Sequence, residues 1–304
     1  MDLTEPCPDM TETSADGRDL AILEQRLRAV EPGLRLEVVP RIDSTNSALL
    51  ERAAAQRACA DGGFCGRASP SWQTCLLLAH EQTHGRGRQG RAWHACPGAS
   101  LTFSLALAMA PREWSGLSLA VGLALAEALE PSQASRIGLK WPNDLWLRDD
   151  GAAGGGRKLG GVLIETSAWV GPRQGPGAAP RICVIGVGLN VGPQAVTDTS
   201  CGVACLQELD PLCTAAQALA RVAPPLLAAV RRFEQVGFAA SARAFARRDL
   251  LLGQEVCTSL AELPVGTALG VDDSGALRVR APDGRIHQVV GGEVTVRPLE
   301  RLTT

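Results

Sequence analysis

Apolar residues recur at helical spacing in several parts of the chain. Leucines 20, 23 and 27 with Val30 predict a helix over 18–30. An alanine-rich stretch follows Ser44-Thr45, whose side chains suit a helix N-cap, and it predicts a second helix over about 45–60. A third helix is predicted over about 114–130, and helical sequence fills about 214–248, where we expect Pro224-Pro225 to interrupt it.

Apolar or alternating runs between these helices predict strands at 36–42, 75–80, 101–109, 137–141, 145–148, 159–168 and 181–191. Two glycine-rich stretches, 151–156 and 171–180, are predicted hairpin tips. After Gly253, short β segments alternate with turn signals, which predicts a small antiparallel barrel. The fold class is therefore α/β with a mixed sheet: a disordered acidic tail at 1–17, a main domain at 18–250 and a β domain at 251–304.

Composition is that of an ordinary globular protein. The chain has 304 residues, of which 45% are hydrophobic and 20% charged, with a formal net charge of −2. This balance argues against a disordered chain and gives no reason to expect a nucleic-acid or membrane partner. The acidic, polar N-terminus does not suit a secretory signal, and ten cysteines without a framework spacing favour the reducing cytoplasm.

Arginine replaces lysine almost everywhere in this chain. Of 30 basic residues only Lys140 and Lys158 are lysines, and the other 28 are arginines. A compact ammonium differs from a planar guanidinium in shape and hydration, so these two positions are candidates for a site that needs a point charge. The alternative is chance in an arginine-biased composition.

Three arginines interleaved with glycines follow the strand at 75–80, in the segment GRGRQGR at 85–91. The segment contains G-x-G-x-x-G, but the residues after it do not suit the first turn of a helix, so a dinucleotide fold is excluded. Glycines permit close backbone approach and arginines present forked donors for phosphate, which indicates an anionic ligand. A flexible RNA-binding tract is the alternative.

Further polar groups stand in or beside predicted strands. KWPND at 140–144 either forms a simple turn or contributes to a metal–phosphate site, KLGGVLIE at 158–165 begins with paired glycines, and VIGVGLNV at 184–191 repeats that pattern. Taken alone, Asp43-Ser44-Thr45-Asn46 is explained by a helix cap. His80, His84, His94 and Cys96 lack the usual spacing of zinc ligands.

Taken together and in this order, these segments resemble the biotin protein ligases. The resemblance runs from about Leu36 to Pro298 and includes Gly291-Gly292-Glu293. It implies a class II synthetase-like biotin ligase catalytic domain followed by a small C-terminal SH3-like β barrel. It also implies activation of biotin by ATP as biotinyl-5′-AMP and transfer to a lysine of a biotin carboxyl carrier protein. About 42 residues precede Asp43, and we expect a monofunctional enzyme without a winged-helix repressor domain.

The resemblance also implies roles for individual residues. Arg88 and Lys158 would be catalytic, and a weak Mg²⁺ contact through ATP falls to Asp144. Biotin would contact Ser44, Thr45, Asn46, Gln82, Arg86, Gly87, Arg88, Lys158, Gly160 and Gly161. ATP would contact Arg88, Arg91, Trp93, Lys140, Asn143, Asp144, Gly188 and Asn190.

Other functions stay open from the residues alone. A lipoate-type ligase on the same fold, a non-catalytic biotin-sensing regulator and an RNA-binding protein are the alternatives. The leading interpretation requires ATP, Mg²⁺ and biotin, with a carrier domain of a biotin-dependent carboxylase as partner. It expects no nucleic acid and no membrane, assigns the chain to the cytoplasm, and leaves a homodimer open.

Overall fold

A computed structural model describes residues 17–61, 72–130, 135–149, 155–169, 180–194, 202–291 and 296–298. The first half of the chain forms α1 (Gly17–Val30), β1 (Arg35–Ile42), α2 (Thr45–Asp61), β2 (Cys75–Gln82), β3 (Ser100–Met109) and α3 (Leu117–Leu129). It continues with β4 (Ile137–Lys140), β5 (Asp144–Arg148), β6 (Gly156–Ala168), β7 (Arg181–Asn190), α4 (Ala215–Val236) and α5 (Ala239–Ala246). The last described elements are β8 (Glu255–Thr258), β9 (Val265–Val271), β10 (Leu277–Arg280), β11 (Ile286–Val289) and β12 (Val296–Pro298).

Seven strands form one mixed sheet in the order β1-β2-β3-β7-β6-β5-β4. Strands β1 and β2 are parallel, joined by α2, and the other neighbouring strands of this sheet are antiparallel. The α/β class with a mixed sheet is therefore confirmed. The stretches 151–156 and 171–180 connect antiparallel neighbours, as expected for hairpins, but most of their residues lie outside the described ranges, as do residues 1–16 of the predicted tail.

The two faces of the sheet are covered differently because β3 alternates in character. Its large residues, such as Leu101, Phe103 and Leu105, pack in the core that includes α1, α3 and α4. Its other face carries Ser100, Thr102 and Ser104, all buried, and then Ala106, which packs with the α2 side chains. This alternation places polar groups on the α2 face, beside the N-terminus of that helix.

The prediction that Pro224-Pro225 interrupts the last helical stretch is wrong. Helix α4 runs through both prolines, and the break falls instead at Gly237, which has a φ of 70°. Proline at 224 leaves the carbonyl of Ala220 without its helical donor, and Arg26 of α1 donates to that oxygen over 3.3 Å. A partner from another helix thus compensates for part of the loss.

The remaining five strands form an antiparallel sheet in the order β11-β10-β9-β8-β12. The buried indole of Trp141 joins this sheet to the main domain, since its Nε1 donates to the carbonyl of Gly275 over 3.1 Å. The small C-terminal β domain is thus confirmed, and the boundaries 18–250 and 251–304 stay a prediction. Among the described helices, none combines the length and apolar character needed to cross a bilayer.

Candidate functional site

A chain of buried polar side chains begins at the N-terminus of α2. The backbone N–H and the hydroxyl of Thr45 donate to Oε1 of Gln82 over 2.8 and 3.1 Å. The hydroxyls of Thr45 and Ser104 lie 2.6 Å apart, and Ser104 donates to Oδ1 of Asn46 over 2.6 Å. Because Thr45 occupies the amide oxygen of Gln82, the NH₂ group of that side chain is the end left for a ligand.

Asn46 extends this chain to β6 and β7. Its Nδ2 donates to the carbonyl of Leu163 over 3.3 Å and to Oε2 of Glu165 over 3.0 Å. Gly186 of β7 is required here, because a Cβ at that position would lie 2.9 Å from Cγ of Asn46. The first glycine of the segment VIGVGLNV therefore admits a polar side chain to the sheet surface.

The segment 85–91 forms a narrow hairpin rather than the start of a helix. The backbone N–H of Gly87 donates to the carbonyl of Arg91 over 2.7 Å, and the backbone N–H of Trp93 donates to the carbonyl of Gly85 over 2.8 Å. Its tip is a short 3₁₀ turn in which Gln89 and Gly90 have φ values of 57° and 71°. The hairpin forms part of the wall of the site and presents Arg88 to it.

Arg88 reaches the turn that follows β4. Its guanidinium donates to Oδ1 of Asn143 over 3.1 Å, and Asn143 is held in turn by Nδ2 donation to the carbonyl of Val162 over 2.9 Å. Burial lowers the pKa of the Arg88 guanidinium, and the carboxylate of Asp144 opposes that shift. The side chain nevertheless stays cationic, as arginine does throughout the usual pH range.

Both lysines lie against tryptophan rings in this region. The ammonium of Lys158 lies 2.9 Å from Oδ1 of Asp144 and 5.9 Å from the ring centroid of Trp93, and Lys140 lies 4.2 Å from the centroid of Trp146. The indole N–H of Trp93 is buried and has no hydrogen-bond partner among the described residues.

Glycines allow the strands to approach this cluster. A Cβ on Gly188 would lie 2.7 Å from two atoms of the Trp93 indole, and a Cβ on Gly161 would lie 3.2 Å from Oδ1 of Asp144. A Cβ on Gly160 would instead lie 2.5 Å from the carbonyl of Gly188. The second glycine of VIGVGLNV and both glycines of KLGGVLIE therefore serve close approach between neighbouring groups.

The side-chain amide of Asn190 connects two backbone segments, at Lys158 and at Ala204. Its Nδ2 donates to the carbonyls of Lys158 and Ala204 over 3.2 and 3.0 Å, while its Oδ1 accepts from Gln194 over 3.2 Å. This amide therefore supports the strand that carries Lys158.

These groups surround one cavity of about 570 Å³. All the candidate ligand-binding residues except Gly160 line it: Ser44, Thr45, Asn46, Gln82, Arg86, Gly87, Arg88, Arg91, Trp93, Lys140, Asn143, Asp144, Lys158, Gly161, Gly188 and Asn190. The described residues contain no group of three or more His, Cys, Asp or Glu side chains arranged for a metal ion. Any Mg²⁺ here would have to take most of its ligands from a bound nucleotide, which is how this ion is commonly held.

The sequence analysis did not assign Ser104, Glu165, Gln194 or Val296 to the site. Ser104 and Glu165 belong to the polar chain, Gln194 supports Asn190, and Val296 of β12 brings the C-terminal sheet to the cavity wall. Ser104 had a visible signal, because positions 102 and 104 of the strand predicted over 101–109 are polar, as is position 100 just before it. Glu165 stood within a quoted motif, but its partners depend on strand register.

Comparison with known proteins assigns the class. Residues 69–189 match the model of the biotin/lipoate A/B protein ligase family, and residues 252–297 match the model of the biotin protein ligase C-terminal domain. The fold, the cationic cavity and these matches define a ligase of the biotin and lipoate class.

Relatives narrow this class to one family. The chain is 33% identical over 291 residues to the biotin–[acetyl-CoA-carboxylase] ligase of Mycobacterium tuberculosis, with 90% of this chain and 93% of that protein covered. It is 32% identical over 274 residues to the bifunctional ligase/repressor BirA of Escherichia coli, covering 88% and 76%. The chain belongs to the biotin protein ligase family.

A solved structure agrees with the fold. The biotin protein ligase from Aquifex aeolicus in complex with biotin and ATP superposes with a TM-score of 0.65 at 24% identity, covering 87% of this chain and 99% of that one. At this identity the likeness supports the architecture.

Proposed function

We propose that the chain activates biotin with ATP as biotinyl-5′-AMP and transfers the biotinyl group to a lysine of a biotin carboxyl carrier domain. One observation carries the proposal: a single cavity has a neutral, hydrogen-bonding end around Thr45 and Gln82 and a cationic end around Arg88 and Lys158. Biotin has the same polarity, with a neutral ureido ring at one end and a carboxylate at the other.

The neutral end is assigned to the ureido ring, held by Ser44, Thr45, Asn46 and Gln82. A ureido group has one carbonyl acceptor and two N–H donors, which match the Gln82 NH₂ group and the hydroxyl and amide oxygens beside it. The dithiolane of lipoate offers no comparable hydrogen bonds and would leave the NH₂ group of Gln82 without a partner. This argument favours biotin over a lipoate-type substrate.

The cationic end is assigned to the reacting groups. A carboxylate and a triphosphate repel each other, and Arg88 and Lys158 would bring them together and stabilise the charge that develops. A biotin carboxylate oxygen attacks the α-phosphorus, and pyrophosphate leaves with the electron pair of the broken P–O bond. The carrier lysine, as free amine, then attacks the acyl carbon, AMP leaves, and the nitrogen loses its proton.

The candidate ATP-contacting residues are assigned to the nucleotide. The ring of Trp93 lines this part of the cavity, Arg91 and Lys140 supply positive charge, Gly188 leaves room for the Trp93 indole, and Asn190 holds the backbone. Asn143 orients Arg88. Mg²⁺ bound to ATP would neutralise phosphate charge. Asp144, which pairs with Lys158, is the carboxylate that would contact the ion.

Pyrophosphate release tests the proposal. The protein with biotin and Mg·ATP should release pyrophosphate and yield a biotinylated carrier domain by mass spectrometry. The same mixture with lipoate should do neither. A biotin-sensing regulator would bind biotin in calorimetry without releasing pyrophosphate, and that result would contradict the proposal.

Two further proposals concern the cellular compartment and the oligomeric state of the protein. Cys75, Cys183, Cys205 and Cys213 are buried thiols outside any disulfide, which supports the cytoplasm. A homodimer is the open alternative to a monomer, and light scattering with and without biotin would measure the mass directly.

A further inference from the structure

Arg86 of the hairpin forms an ion pair with a carboxylate of the main domain. Its Nη2 lies 2.8 Å from Oε1 of Glu165, and its Nη1 donates to the hydroxyl of Ser47 over 3.2 Å. Glu165 stands on β6 and Ser47 in the first turn of α2. The guanidinium thus connects the hairpin to two elements of the main domain.

The second oxygen of the same carboxylate holds a side chain that lines the cavity. Oε2 of Glu165 accepts from Nδ2 of Asn46, whose Oδ1 accepts from Ser104. One carboxylate therefore fixes the position of the hairpin and the orientation of the Asn46 amide together. A carboxamide cannot replace it, because only one of its two terminal atoms accepts a hydrogen bond.

We infer that Glu165 is a positioning residue for biotin, acting through Arg86 and Asn46, and that the Arg86 guanidinium anchors the hairpin instead of binding an anion. The geometry separates this arginine from its neighbour, since Arg88 reaches Asn143 beside Lys158, whereas Arg86 points toward α2 and β6. The part of this inference that concerns biotin rests on the proposed function. The anchoring of the hairpin does not.

A matched ion pair provides the control. Arg52 and Glu37 lie 2.9 Å apart, with side chains 42% and 18% exposed, against 45% and 24% for Arg86 and Glu165. Neither Arg52 nor Glu37 lines the cavity. Glu37→Gln therefore removes a similar carboxylate without touching the hairpin, and Glu165→Gln is compared with it.

Hydrogen exchange without ligand tests the anchor. Exchange of amides 85–91 should be faster in Glu165→Gln and in Arg86→Met than in the parent, and unchanged in Glu37→Gln. Melting temperatures of all variants separate this local effect from general destabilisation. Parental exchange rates at 85–91 in a folded Glu165→Gln protein would overturn the anchoring role, whatever the substrate of the protein is.

Steady-state kinetics test the link to biotin. Glu165→Gln should raise the KM for biotin about tenfold, in keeping with the loss of hydrogen bonds to a charged group, while the KM for ATP stays near the parental value. The Arg86→Met/Glu165→Gln double variant should be no worse than Glu165→Gln alone, because both changes break the same contact. Equal increases in the KM values for biotin and for ATP would contradict the proposal. Additive effects of Arg86→Met and Glu165→Gln in the double variant would contradict it as well. A parent protein that releases no pyrophosphate would refute the proposed function instead.

Discussion

Lys158 and Asp144 form an ion pair beside the ring of Trp93. The ammonium nitrogen lies 2.9 Å from Oδ1 of Asp144, and both side chains are largely buried, at 29% and 22% exposure. A flexible lysine side chain is thereby fixed at the end of the cavity assigned to the reacting groups. Preorganised charge of this kind stabilises a transition state without having to rearrange during the reaction.

Lys158→Met should therefore form biotinyl-5′-AMP slowly while remaining folded. Loss of one preorganised donor lowers rates by roughly 10²–10³ in other enzymes, and we expect a loss of that order in pyrophosphate release. Transfer from supplied biotinyl-5′-AMP to a carrier domain should decline less, because the adenylate is already formed.

Lys158→Arg is the control for charge. It keeps the cation but replaces a compact donor with a planar fork, so its rate should fall between those of the parent and Lys158→Met. Adenylate formation by Lys158→Met at the parental rate would remove this lysine from the mechanism.

The hairpin 85–91 should become more protected when ligands bind. Arg88 and Arg91 stand three residues apart and repel each other, and an anionic adenylate reduces that repulsion. Exchange of these amides, followed by mass spectrometry, should slow when biotin and Mg·ATP are added together. Identical exchange with and without ligands would argue for a hairpin that is fully ordered beforehand.

Gly188→Ala should weaken ATP binding more than biotin binding. The new methyl group would displace the Trp93 indole, which lines the part of the cavity that we assign to the nucleotide. Gly33→Ala is the matched control, since no heavy atom lies within 4 Å of its added carbon. We expect calorimetry to show weaker ATP binding by Gly188→Ala and parental binding by Gly33→Ala, and equal affinities for the two variants would contradict the role of this contact.

Asp249 should make the folded state less stable as the pH rises. Burial raises the pKa of this carboxyl to about 6, and its Oδ2 has no hydrogen-bond partner among the described residues. The folded state binds the proton more tightly than the unfolded state, whose pKa is about 4, so stability is lost between about pH 4 and pH 6. Above pH 6 the ionised, buried carboxylate costs about 3 kcal/mol.

Asp249→Asn should remove that cost while keeping the acceptor for the N–H of Leu251. Its melting temperature should exceed that of the parent at pH 8, and the difference should shrink at pH 5. A constant difference between the two proteins across this range would show that Asp249 does not titrate there.

Local pattern predicted most of the elements, because helix and strand periodicity needs only neighbouring residues. The exception in α4 has a non-local cause: the donor to the carbonyl of Ala220 comes from Arg26, nearly two hundred residues earlier. Propensity alone therefore places a break at the two prolines, whereas the folded protein tolerates them.

The site shows the same limit. Resemblance located Asn46, Arg86 and Lys158 in one cavity, but the partner of Arg86 depends on which face of β6 carries Glu165 and on the position of α2 above it. Neither can be obtained from the spacing of residues in a single sequence. The Lys158–Asp144 pair likewise follows from the register of β5 with β6.

The position of strand β12 in the chain determines when the C-terminal sheet and the cavity can be completed during synthesis. This strand pairs with β8, although β9, β10 and β11 separate the two along the chain, and its Val296 forms part of the cavity wall. A ribosome releases 296–298 after every other described residue, so the nascent chain carries β8 with one unpaired edge until then. The main sheet is free to form earlier during translation, but the ligand cavity gains its last wall only after these three residues have emerged.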